Sequence, residues 1–125
     1  MLQLDHINIY VSDVLRSRTF YTKVLEPFGY KLNRDFGEHA AGIGRDNYAE
    51  LALVRITDTI QPIHIAYRAN ARSDVDKFYS LAIESGATDN GPPGLRPDYH
   101  PNYYAAFVRD IDGHNLEVVC HKEVL

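Results

Sequence analysis

The chain has 125 residues and a mass of 14.2 kDa, enough for one compact domain and too little for two full-sized ones. Hydrophobic residues at 45% and charged residues at 24% exclude a disordered or fibrous chain, and a net charge of −4 argues against a general nucleic-acid binder, which needs a positive surface to displace counterions from phosphate. Cys120 is the single cysteine, so an intrachain disulfide and a Cys-rich zinc site are excluded, and no apolar run is long enough to span a membrane.

Residues Met1 to His6 lack the basic and apolar regions of a signal peptide, which makes the cytoplasm the expected location. From His6 to Val11 the chain alternates, with Ile7, Ile9 and Val11 on one face of a predicted strand. Ser12-Asp13 supplies a helix N-cap, Val14, Phe20, Tyr21, Val24 and Leu25 recur at helical spacing, and Pro27 and Gly29 end the helix. Tyr30 to Arg34, His39 to Arg45 and Tyr48 to Ile56 read as strands, broken at Gly37 and at Asp46-Asn47. The second half repeats the plan. Ile63 to Ala69 is a strand, Ser73-Asp74 caps a helix with Val75, Phe78, Tyr79, Ala82 and Ile83 on its inner side, and Gly86 stops it. After a short strand near Ala87 to Asn90 comes a loop, Gly91 to Pro101, holding four of the six prolines and expected to be neither strand nor helix. Tyr103 to Arg109 and Asn115 to His121 close the chain as a hairpin turning at Asp112-Gly113.

Sliding the chain along itself by 58 residues superimposes His6 on His64, Ile7 on Ile65, Phe20 on Phe78, Tyr21 on Tyr79 and Glu26 on Glu84. Composition alone gives about one or two identities over that stretch. Two half-length βαβββ modules are therefore expected, about 1–57 and about 62–125, forming a single domain over residues 1–125.

Strand alternation then sorts the polar side chains by face. If each helix covers the face bearing Ile7, Ile9 and Val11, or Ile63, Ile65 and Tyr67, then His6 and His64 lie on the uncovered side. The same parity leaves Glu50 opposite Leu51 and Leu53, and Glu117 opposite Leu116, Val118 and Cys120. Glu50 and Glu117 are 67 residues apart, nine more than the repeat offset, a difference the proline-rich loop can absorb. Two neutral imidazoles with one or two carboxylates suit a divalent transition metal such as Zn, Ni, Mn or Fe. Each of these residues alone also reads as an ordinary solvated side chain on a strand. The other histidines have weaker cases: His114 is expected to be exposed at a turn, and His121 to lie near the tail. His100, with Arg96, Tyr99 and Tyr103, forms either a lid or a rigid surface loop. Tyr10, Tyr48, Tyr99 and Tyr103 are candidate lining residues. Cys120 is expected to be a buried structural thiol.

Leu4-Asp5-His6-Ile7-Asn8-Ile9-Tyr10-Val11-Ser12-Asp13 followed by Arg18-Thr19-Phe20-Tyr21, Ile63-His64-Ile65-Ala66 and Asp110-Ile111-Asp112-Gly113-His114-Asn115-Leu116-Glu117 resemble the vicinal oxygen chelate superfamily. Its members include glyoxalase I, extradiol dioxygenases and the fosfomycin- and bleomycin-resistance proteins, and the closing segment is similar to that of small bacterial glyoxalase-like proteins. The resemblance implies an α+β fold of two βαβββ modules, forming a curved mixed sheet around an open cleft with the helices outside. It implies metal ligands at His6, His64 and Glu117, with Glu50 as a fourth in the glyoxalase I branch. It further implies a metal-dependent lyase or isomerase acting on a small substrate with vicinal oxygens. Glu117 or Glu50 would be the catalytic base, and the chain a cytoplasmic homodimer. No residues align with a glutathione pocket. The alternatives are an extradiol dioxygenase, with His6, His64 and Glu117 as its three ligands, and a non-catalytic small-molecule binding or resistance protein. A fosfomycin-type transferase lacks the Lys and Arg cluster that its anion would need.

Overall fold

The computed structural model describes residues 1–123. The chain folds as two compact units, 1–61 and 62 onward, each with its own helix and mixed sheet.

The first module runs β1 (Ile7–Val11), α1 (Val14–Leu25), β2 (Lys31–Asp35), β3 (Ala40–Gly44) and β4 (Leu51–Arg55). Its sheet is ordered β1-β4-β3-β2, with β1 parallel to β4 and the other pairs antiparallel. Ile9, Val11, Ala41, Ile43, Leu51 and Leu53 form the buried face of the sheet, and Val14, Phe20, Tyr21, Val24 and Leu25 the buried stripe of the helix. Asp13 caps α1 as expected, its carboxylate accepting the Arg16 N–H at 3.1 Å, a bond worth about 1 kcal/mol. A 3-10 turn over Glu26–Phe28 follows, and Gly29 leaves it with φ +89°, a left-handed conformation that glycine adopts without strain.

The second module runs β5 (His64–Arg68), α2 (Arg72–Glu84), β6 (Thr88–Asp89), β7 (Gly94–Leu95), β8 (Tyr104–Arg109) and β9 (Asn115–Cys120). Its order is β5-β9-β8-β6, with β5 parallel to β9 and β7 added onto β8. Val75, Phe78 and Ala82 of α2 are buried, as are Ala106, Val108, Leu116, Val118 and Cys120 of the sheet.

Four expectations need correction. The cap of α2 is Ala71, with no side-chain hydrogen bond; β5 ends early enough for the helix to begin at Arg72, which places Ser73 and Asp74 inside its first turn. There Asp74 still complements the positive end of the helix dipole. Ile83 is exposed and Tyr79 half-buried, because Val75, Phe78 and Ala82 already complete the inward stripe and Ile83 lies a further 100° or so around the helix. The proline-rich loop contains a strand after all: Gly94 and Leu95 pair with Ala105 and Tyr104. His114 is buried, not exposed, because its Nδ1 accepts the Ile63 N–H at 3.1 Å and ties the β8–β9 turn to the start of β5. Cys120 is buried, as parity required.

Candidate metal centre

In the second module the strand register sets one surface. Ala66, Glu117 and Phe107 lie side by side across β5, β9 and β8, so their face also carries His64 and Asn115. His64 and Glu117, 53 residues apart in the chain, meet there with Nε2 and Oε1 2.7 Å apart. An ionised carboxylate only accepts, so Nε2–H is the donor. The Tyr103 hydroxyl donates to Oε2, the other oxygen of Glu117. Parity places Glu117 on an uncovered face. It lies on that face but is only 1% exposed, because Tyr103 and His64 cover it. A buried carboxylate without partners would cost several kcal/mol, and two directed donors offset that cost. The other side of the contact differs, with the His64 side chain 52% exposed. The Tyr103 phenol is pushed up to about 12, first by burial and then by its bond to Glu117.

The Tyr103 ring is itself framed. It stands edge-on to His100 and His121, with centroids 5.4 and 5.3 Å away, and lies 4.8 Å from the Tyr99 ring. The two imidazoles stack and share a 2.7 Å contact from His100 Nε2 to His121 Nδ1. Because the Asn102 N–H donates to His100 Nδ1, the neutral His100 ring carries its proton on Nε2 and donates it to His121. This bond ties the loop before β8 to the end of β9, a role for His100 and His121 that sequence parity does not reveal.

In the first module, His6 immediately precedes β1 and is exposed. Its Nδ1 contacts Asp5 Oδ1 at 2.6 Å, and His6, then Tyr48, hold the Asp5 carboxyl below its ordinary value. A carboxylate on Nδ1 fixes the ring and raises the basicity of Nε2, an arrangement typical of metal-binding imidazoles. Glu50 immediately precedes β4 and is already engaged. Its Oε1 accepts from Arg45 Nε at 3.2 Å and Nη2 at 2.8 Å. The Tyr30 phenol is raised to about 12 by burial and by Glu50. The segment from Arg45 to Glu50 folds back closely over Gly44, where an added Cβ would stand 1.8 Å from the Tyr48 carbonyl oxygen.

The repeat can now be aligned by hydrogen-bonded register. Asn8 pairs with Ala52 on β4, while Ala66, its repeat partner, pairs with Glu117 on β9. The first-module position matching Glu117 is therefore Ala52. Glu50 shares its face but lies two residues earlier, about 7 Å along the strand. The apparent correspondence of Glu50 with Glu117 comes from residue counting, which cannot locate where the extra residues enter. Pairing each acid with the residue beside it on the parallel strand would have placed it.

The donor set fits a divalent cation. Two adjacent ligands at about 2.1 Å from one ion are about 3 Å apart, close to the separation of His64 Nε2 and Glu117 Oε1. Within each module, no three His, Cys, Asp or Glu side chains among the described residues are close enough to hold an ion. His64 and Glu117 thus form a two-ligand half-site.

Two mixed sheets, each backed by one helix, together with this histidine–carboxylate pair, define a glyoxalase-type fold. The chain belongs to the Glyoxalase/Bleomycin resistance protein/Dioxygenase superfamily, whose family model matches residues 3–118. A glyoxalase/bleomycin resistance protein from Albidiferax ferrireducens T118 is similar in fold, with a TM-score of 0.78 at 20% identity, covering 94% of this chain and 98% of that one. Lactoylglutathione lyase from Agrobacterium tumefaciens gives 0.74 at 15% identity over 96% and 94% of the two chains. The oxidase ChaP-H2 gives 0.71 at 22% identity over 98% and 95%. None of the curated proteins compared with the chain matches it. Among the described residues, no helix is long and apolar enough to cross a membrane.

Proposed function

We propose that the chain is a metal-dependent enzyme acting on a small substrate with vicinal oxygens, with His6, His64 and Glu117 holding one divalent cation. The observation that carries this reading is the contact between His64 Nε2 and the buried Glu117 carboxylate, at the spacing of neighbouring ligands. Asp5 behind His6 supports the third ligand. When bound, the cation would act as a Lewis acid stabilising negative charge on substrate oxygens. The protein's own part is to present the ligands, exclude water on the Tyr103 side, and supply a base for proton transfer between adjacent carbons. In a glyoxalase-like lyase or isomerase, Glu117 or Glu50 takes that role. Metal-loaded protein given methylglyoxal and glutathione should then form thioester; turnover no greater than that of His64→Ala would overturn the glutathione-dependent form.

A second reading, an extradiol-type dioxygenase, is favoured by Glu50. Its bond to Arg45 and its position two residues away from the match to Glu117 suit a set of three protein ligands, which leaves more positions open. Fe(II)-loaded protein should consume oxygen in the presence of a catechol, and none should be consumed if the lyase reading is right. A non-catalytic binding protein would retain a small molecule and turn over neither substrate. A cytoplasmic homodimer belongs to the same proposal. It is supported by β1 and β5, each of which is an edge strand of its own sheet, and sedimentation at micromolar concentration tests it.

A further inference from the structure

We propose that Tyr103 is a positioning residue that makes Glu117 a one-oxygen ligand, locking Oε2 so that only Oε1 is offered to a cation beside His64. This rests on the metal-binding reading above and adds the device that fixes its carboxylate.

A carboxylate has two equivalent oxygens and can bind an ion through one, through both, or swing away from it. Here the two are distinguished. Oε2 takes the Tyr103 hydroxyl, and Oε1 faces His64. The lock is rigid for three separate reasons. Tyr103 immediately precedes β8, and its backbone N–H donates to the His100 carbonyl while its own carbonyl accepts from Arg96 N–H at 2.7 Å. Its ring is held between Tyr99, His100 and His121. Those imidazoles are joined to each other, so the frame spans the loop and β9. The opposite face of the sheet shows the contrast: Tyr104 also donates to a carboxylate, Asp76 at 2.6 Å, but that acid is exposed on α2. Of these two bonds on β8 and its start, that of Tyr103 ends on a buried carboxylate that also meets a histidine. With Oε2 occupied, Glu117 is disfavoured as a base that must detach, which moves the proton-transfer role to another group.

The test compares Tyr103→Phe with Tyr104→Phe in the full chain. The Phe ring keeps the aromatic frame and removes only the hydroxyl. Metal-free proteins are titrated with Co(II), and affinity is read from the visible ligand-field absorption, with no substrate present. Tyr103→Phe should weaken Co(II) binding by about 10- to 100-fold, the usual effect of deleting an outer partner of a ligand, whereas Tyr104→Phe should change it less than about twofold. Equal affinities for wild type and Tyr103→Phe would overturn the proposal while leaving the metal reading intact. Failure of the wild type to bind Co(II) would overturn both. A second measurement needs no variant. In wild type, the Tyr103 hydroxyl proton should give a protected NMR signal that persists when a diamagnetic Zn(II) ion is bound; its loss on loading would show that Oε2 had been released and would contradict the lock.

Discussion

The two modules share one plan yet treat their acids in opposite ways. In the second, Glu117 sits mid-strand, buried, with a histidine on one oxygen and a phenol on the other. In the first, the matching position is Ala52, and the nearby Glu50 precedes its strand in an ion pair with Arg45. A repeat conserves the backbone frame of a site more readily than its side chains. A carboxylate becomes ligand-like through the donors that hold it, not through its sequence neighbourhood.

The sharpest way to break this comparison is Glu117→Ala. Deleting the acid should weaken divalent-metal binding by more than about a hundred-fold, beyond the loss typical of an outer partner, as checked by competition with a chelator. Next is Gly44→Ala. A methyl group there would collide with the Tyr48 carbonyl, and moving backbone away should cost about 2–3 kcal/mol in urea unfolding while leaving the second module's pair intact. Ala52→Glu sharpens the comparison from the other side by restoring an acid at the register of Glu117. Metal affinity should rise about tenfold, and an unchanged affinity would deny that the two strands contribute equivalently.

Alkaline titration has the smallest expected effect. Tyr30 and Tyr103 are both raised to about 12, one by burial and Glu50, the other by burial and Glu117. A raised folded value means that these phenols stabilise the fold fully below the ordinary value of about 10, and that this support is lost as pH climbs from there through about 12. Ultraviolet difference absorbance should therefore show two tyrosines ionising last. Phenylalanine at position 30 should remove one of them without affecting the other.

Much of the architecture was legible in residue order because alternation and helical spacing report burial directly. Ile9, Val11, Leu51, Leu53, Phe20 and Val24 all lie where periodicity puts them. The cap at Asp13 is equally plain, since its side chain acts on a backbone amide only three residues away. The cap of α2 is harder to place because Ser73-Asp74 has the right chemistry a few residues too late. That His64 and Glu117 share a face follows from parity, but their direct contact and the burial of Glu117 do not. That burial depends on Tyr103, which reaches it from the far side of a turn, and on the loop that fixes Tyr103. Loop geometry of this kind leaves no period in the sequence. The joint role of His100 and His121 is hidden for the same reason, and His114 departs from expectation because turns are usually exposed whereas this one is stitched to β5 through its imidazole.

The most direct measurement is the stoichiometry of Co(II) binding to metal-free protein, in wild type and in His6→Ala, His64→Ala and Glu50→Gln. One ion per chain, lost with either histidine and retained within about twofold in Glu50→Gln, is the expected result for a cation held by His6, His64 and Glu117. Binding that survives His6→Ala and His64→Ala, or that disappears with Glu50→Gln alone, would contradict it.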